Sequence, residues 1–174
     1  MRATFTQISL FFLLLMGFQS HAQDIKWISW DEAVQLSQTD AKPKKIFIDV
    51  YTDWCGWCKR MDATTFQDSI ITAEIKQNFY AVQFNAEAKR DITVDGKTYK
   101  FVPNGRRGYH ELAAQILDGK LSYPSFAYFN DKGQKMQVIP GFKTREQLHP
   151  ILDYIGNGIY QNTRWEDYMK SHKS

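Results

Sequence analysis

The run Lys45-Ile46-Phe47-Ile48-Asp49-Val50-Tyr51 leads almost directly into Trp54-Cys55-Gly56-Trp57-Cys58-Lys59, and this junction constrains the chain more than any other stretch. A continuous apolar segment of this length has no polar face to offer water, so it reads as a strand covered on both sides of a sheet. Such a strand requires helices above and below it. If the residues after Thr52 open a helix, Cys55 lies in its first turn, beside unpaired backbone N–H groups and the positive end of the helix dipole. Both favour thiolate over thiol. Cys58, three residues on, falls on the same helical face, where the pair can close into a disulfide and reopen.

The chain begins with Arg2, an apolar stretch from Ile8 to Phe18 interrupted only by Ser9 and Gly17, and then Gln19-Ser20-His21-Ala22-Gln23. A basic start, a short apolar region and the small residues Ser20 and Ala22 match the three parts of a secretory signal peptide, with cleavage expected after Ala22. An N-terminal membrane anchor is the other reading of this segment. Residues 23–174 are then expected to form one domain, periplasmic or secreted and not itself embedded in a membrane. The chain carries 22 Lys and Arg against 19 Asp and Glu, a net charge of +3. These charges are interspersed, and the tightest basic runs, Lys42 to Lys45 and Arg106-Arg107, read as solvated turns rather than as a nucleic-acid surface.

An exported chain with only two cysteines is not built on a disulfide framework, which needs several bridges closing long loops. A bridge across so short a loop adds on the order of 2 kcal/mol or less. Chemistry is the better reason for the pair. An inert structural disulfide remains an alternative, as does half of a zinc site, although no second cysteine pair is present and His110, His149 and His172 stand apart in the sequence. Cys55 is assigned as the attacking sulfur because the residue nearer the helix start is expected to face solvent. The more shielded Cys58 would resolve the mixed disulfide.

Along the rest of the chain, Ile25 to Ile28 reads as a short strand and Ser29 as the cap of a helix from Trp30. The cysteine helix is expected to run to about Phe66, and Asp68 or Ser69 to start another through Ile71, Ile75 and Phe79. Tyr80 to Phe84 reads as a second buried strand. Ile92 to Phe101 alternates like a hairpin about Asp95-Gly96, Tyr109 to Leu117 reads as a helix ended by Gly119, and two strands follow at Ser125–Asn130 and Met136–Ile139. Thr144 and Thr163 are placed as caps of helices over 145–155 and 164–170. Alternating elements around buried strands point to an α/β sandwich with a mixed sheet.

Three separated features resemble the thioredoxin superfamily: Trp-Cys-Gly-x-Cys-Lys at 54–59, Asp49 six residues before Cys55, and Tyr123-Pro124-Ser125 before a strand, with Gly141 after the next. The resemblance covers nearly all of residues 23–174. It implies a thioredoxin-like three-layer α/β sandwich with an inserted hairpin-plus-helix segment at about 86–121 and an extra C-terminal helix. The stretch Tyr51 to Met61, with Thr65-Phe66, is most similar to exported bacterial thioredoxin-like proteins, such as the periplasmic C-terminal domain of the transmembrane thiol-disulfide reductase. This likeness implies a reductase of protein disulfides that needs neither cofactor nor metal. Its partners would be disulfide-containing proteins and, since reduction in an oxidising compartment needs renewed electrons, a membrane-bound electron donor.

Asp49 is expected to be a buried carboxylate exchanging protons with Cys58, or else a strand-end acid facing water; the strand's own pattern does not separate the two. Pro124, if cis, would hold the Tyr123 backbone against the sulfurs and offer an extended peptide a strand-like edge, a trans turn proline being the alternative. Trp54 and Trp57 flank Cys55 and are candidates for holding substrate by apolar contact, with core packing the plainer reading of Trp54. Trp57 stands where the family often has proline or, in oxidising members, histidine. Without that imidazolium the disulfide should be less oxidising. Gln83 replaces a common lysine. Arg106, Arg107 and Tyr109 in the insertion are candidates for choosing the partner, or surface decoration. An oxidase or isomerase, or a peptide-docking module without catalysis, are the competing functions.

Overall fold

The computed structural model describes residues 24–94 and 96–172. The expected signal peptide, and Asp95 of the expected Asp-Gly turn, lie outside the described residues. Five strands form the central sheet in the order β1-β3-β2-β8-β9, from β1 (Trp27–Ile28), β2 (Lys45–Tyr51), β3 (Phe79–Asn85), β8 (Ser125–Phe129) and β9 (Lys135–Pro140). β1, β2 and β3 are parallel; β8 runs antiparallel to β2 and β9 antiparallel to β8. The sheet is therefore mixed. β2, the apolar run, lies between β3 and β8 with residues 46–50 buried.

Because side chains alternate along a strand, β2 supplies two cores. Ile46, Ile48 and Val50 pack with α1 (Trp30–Thr39) and α4 (Glu111–Ile116) through Trp30, Ala33, Leu112, Ala113 and Ile116. Phe47 faces the opposite layer of α2 (Gly56–Ala63), α3 (Ser69–Asn78) and α5 (Arg145–Gly156), among Met61, Ile71, Ile75, Leu148 and Leu152. It stacks on Phe126 at 5.8 Å and meets Tyr128 at 5.5 Å. Three layers result, and α6 (Trp165–His172) is added through Tyr168, whose hydroxyl donates to Asp153 of α5 at 2.6 Å.

Local signals set most helix starts. Ser29 accepts the Glu32 N–H, Asp68 accepts those of Ile70 and Ile71, and the Gln147 side chain accepts the Thr144 N–H. α2 stops at Ala63 rather than near Phe66: Thr65–Gln67 form a 3-10 turn that drops Phe66 into the core, with the Thr65 hydroxyl donating to the Lys143 carbonyl at 2.8 Å. Phe79 belongs to β3 rather than to the preceding helix, and α6 begins at Trp165. His149 and His172, far apart in the sequence, are neighbours in space, their rings 5.7 Å apart because α6 folds back along α5.

The insertion holds two hairpins, not one: β4 (Ile92–Val94) with β5 (Lys97–Tyr99), and β6 (Phe101–Asn104) with β7 (Arg107–His110). Tyr109 is thus on a strand, and the helix starts only at Glu111, where His110 Nδ1 accepts the Leu112 N–H at 3.1 Å. Gly105, with φ 58°, supplies the left-handed residue that a two-residue hairpin turn between Asn104 and Arg107 requires. Gly108 serves another purpose: a Cβ there would overlap the Phe101 ring and the Val102 carbonyl oxygen across the hairpin. Buried His110 ties the hairpin down, its N–H donating to the Ala86 carbonyl and its Nε2 lying 3.0 Å from the Arg90 carbonyl. Gly108→Ala is accordingly expected to force β6 and β7 apart and cost about 1–3 kcal/mol, measured as a lowered midpoint in urea unfolding.

Candidate active site

The cysteine motif lies where the carboxyl end of β2 meets α2. The Cys55 N–H donates to the Thr52 carbonyl at 3.0 Å, closing the turn out of the strand, and Cys55 caps α2, its sulfur accepting the Cys58 N–H at 3.1 Å. Cys55 and Cys58 form a disulfide, with Cα atoms 5.3 Å apart. The sulfur at the cap therefore meets the first amides of the helix, the local field that lowers a thiol's pKa when such a bond is reduced. Cys55 does not stand open to solvent as expected. It is 4% exposed against 2% for Cys58.

Two tryptophans flank Cys55 in the motif. Trp54 is 48% exposed and Trp57 57%, so Trp54 is not a core residue. The edge of Trp54 meets Tyr123 at 6.0 Å, and the Arg107 guanidinium lies over its ring at 4.0 Å. Trp57 packs on Phe142 at 5.2 Å, with Arg60 5.8 Å from the Trp57 ring and 6.0 Å from that of Phe142. Phe142 is held by a loop whose carbonyls, from Pro140 to Phe142, accept from the Lys143 ammonium. The Tyr123–Pro124 peptide is cis, and the Pro124 carbonyl accepts the Gly141 N–H at 2.8 Å.

Beneath α2 lies Asp49, 1% exposed. Strand alternation puts it on the same sheet face as Phe47, and hence toward α2. In-register pairing of parallel strands sets Gln83 of β3 beside it. The Gln83 amide donates to Asp62 at 3.2 Å and, at a longer 3.5 Å, to Asp49; the other oxygen of Asp49 is buried without a partner. Asp62 lies four residues after Cys58, one turn further along the same side of α2. Burial, reinforced by the Asp62 charge and only partly offset by the Gln83 hydrogen bond, raises the Asp49 pKa from 3.8 to about 7. Asp62 is raised as well, by its own desolvation. Asp62 was not singled out from the sequence. The clue was available in principle, since an acid one turn after a buried cysteine shares its helix face.

Residues 32–156 match the family of thioredoxin-like domains. The chain belongs to that family. The disulfide bond reductase DsbH of Chlamydia pneumoniae is 27% identical over 116 residues, which is 66% of this chain and 62% of that protein. The chain spans less than two thirds of the length of each of the curated relatives named by the comparison. Among solved structures, a thioredoxin-fold protein from Helicobacter pylori superposes with a TM-score of 0.55 at 22% identity, over 75% of this chain and 80% of that one. A thioredoxin from Thermus thermophilus gives 0.55 at 15% identity, over 76% and 88%. At such identities the likeness to these structures is one of fold.

Asp49 holds a proton when folded across a range where the unfolded chain has lost it. Between about pH 4 and pH 7 the folded state therefore binds more protons, and stability falls as pH rises through that window. Asp49→Asn is expected to stabilise the oxidised protein by up to about 4 kcal/mol at pH 8, a gain that vanishes below about pH 4. Urea unfolding midpoints measured at pH 4, 6 and 8 test this.

Proposed function

We propose that this protein is an exported thiol-disulfide oxidoreductase that reduces disulfides in other proteins. The observation that carries the reading is the Cys55–Cys58 disulfide at the cap of α2, a helix that Gln83 links through Asp62 to the buried Asp49 carboxyl, poised near neutrality. The reduced form acts first. Cys55 thiolate attacks a substrate disulfide, its sulfur bonds to one substrate sulfur, and the other leaves as a thiolate that takes up a proton. Cys58 then passes its proton to Asp49 and attacks Cys55, releasing the second substrate thiolate and leaving the internal disulfide seen in this structure. Substrate gains two electrons and the cysteine pair loses them; the Cys58 proton passes from Asp49 to the second substrate thiolate, and the first substrate thiolate takes from solvent the proton that Cys55 had already given up there.

A carboxyl whose pKa lies near the working pH suits that transfer, since it can accept a proton from Cys58 and release it again. Gln83 and the half-buried Asp62 extend the polar chain from Asp49 toward solvent. The reductase direction is supported by the likeness to a protein named a disulfide bond reductase and by tryptophan at position 57, which adds no positive charge to stabilise the thiolate. Export follows from reading residues 1–22 as a signal peptide. Reduction in an oxidising compartment consumes electrons that must be renewed, so a membrane-bound donor is the partner this reading requires.

Two measurements test the proposal. The protein is expected to speed dithiothreitol reduction of insulin, Cys55→Ser to fall to the dithiothreitol background, and Cys58→Ser to accumulate covalent adducts with its substrates in the cell of origin. Equilibration with a glutathione series gives the direction: a potential near thioredoxin's ~−270 mV supports reduction, whereas one near ~−120 mV points to an oxidase.

A further inference from the structure

The insertion contributes something the cysteine chemistry does not need. β7 delivers Arg107 onto the exposed face of Trp54, while Arg60, one turn after Trp57 on α2, lies by the Trp57 and Phe142 rings. Each exposed indole beside the disulfide thus carries a guanidinium. Neither arginine forms an ion pair among the described residues, although Arg90, Arg145 and Arg164 all do. A guanidinium stacked on a ring keeps its edge N–H donors free and matched to a carboxylate. Stacking also restricts a long side chain in advance, which lowers the entropy lost on binding.

The surrounding charges reinforce the pattern. Lys59 and Arg106 are exposed next to the two arginines. Of the acids in the region, Asp53 accepts from the Asn85 amide and Asp62 from Gln83, while Glu87 acts on Tyr123. The four cations outnumber these three acids, whose charge no hydrogen bond to a neutral amide cancels, and the two arginines are the cations set on the aromatic rings.

Resting on the thiol-disulfide reading above, we propose that the pairs Arg107–Trp54 and Arg60–Trp57 form a two-armed docking surface. It selects substrate segments whose cysteine is flanked on both sides by carboxylates. The apolar part of such a segment covers the indoles, and one acidic side chain on each side meets a guanidinium. Discrimination then arises chiefly through association rate and salt dependence, as for charges at an interface rim. The hairpin matters because it alone supplies the arm over Trp54.

Three synthetic disulfide peptides, identical except for Glu, Gln or Lys beside the cysteines, provide the test with the reduced full chain. At ~10 mM ionic strength, where the Debye length is about 30 Å, the Glu peptide is expected to be reduced about 10-fold faster than the Lys peptide, a difference of about 1.4 kcal/mol. Raising salt to ~1 M, where the Debye length is about 3 Å, should shrink that ratio to less than 3-fold. Arg60→Gln combined with Arg107→Gln should bring the low-salt ratio toward one, and Arg107→Lys should restore only part of it. Cysteine-free versions of the same peptides, titrated into the oxidised protein and followed by tryptophan fluorescence, read docking without turnover. If no peptide is reduced but the Glu version still binds preferentially, the oxidoreductase reading fails and the docking surface stands. Equal rates and equal binding at low salt for the Glu and Lys peptides overturn the docking surface, as does a ratio unmoved in the double variant.

Discussion

The burial of β2 on both faces is the constraint from which the rest of this structure follows. A strand covered on both sides can satisfy its backbone only through neighbouring strands, and β3 and β8 do so along residues 45–51 and 46–50. Its alternating side chains then feed two cores at once, Ile46, Ile48 and Val50 in one and Phe47 in the other. The same geometry carries Asp49 inward. An acid in that position has no water to solvate its charge, so its proton stays on to about pH 7. The strand that holds the fold together thereby keeps a carboxyl protonated in the core, at the expense of stability at neutral pH.

A second level of organisation surrounds the disulfide. The cap position of Cys55 is local, produced by the turn from Thr52 and the first amides of α2. The rim comes from four separate parts of the chain: the motif, the segment before β8, the loop after β9 and the insertion hairpin, represented by Trp57, Tyr123, Phe142 and Arg107. Both cysteines are nearly inaccessible while the flanking indoles remain half exposed. A partner meets aromatic and basic surface before it meets sulfur.

Much of this architecture was legible in the sequence. The apolar run at 45–51, the caps at Ser29 and Asp68 and the cysteine spacing are local signals, and local signals act through the backbone that carries them. What was misread depended on distant partners. β6 and β7 are short, and the space Gly108 leaves for the Phe101 ring is invisible until the two strands are paired. The end of α2 answers to Thr65 bonding Lys143, a residue 78 positions away. Trp54 looked like core because an isolated tryptophan usually is; Arg107, brought from the insertion, gives it a reason to stay outside.

The sequence by itself determined the α/β class, the cysteine pair at a strand-to-helix junction and the likeness that identifies the family, since the first two rest on residues adjacent or regularly spaced along the chain and the third on residue types at fixed places in the order of elements. Tertiary structure alone decided that Asp49 is buried, that Gln83 and Asp62 join it, that His149 lies beside His172 and that two arginines cover two tryptophans. The physical reason is common to all four. Solvation, charge coupling and ring stacking depend on distance through space, and only packing the sheet against its helices sets those distances.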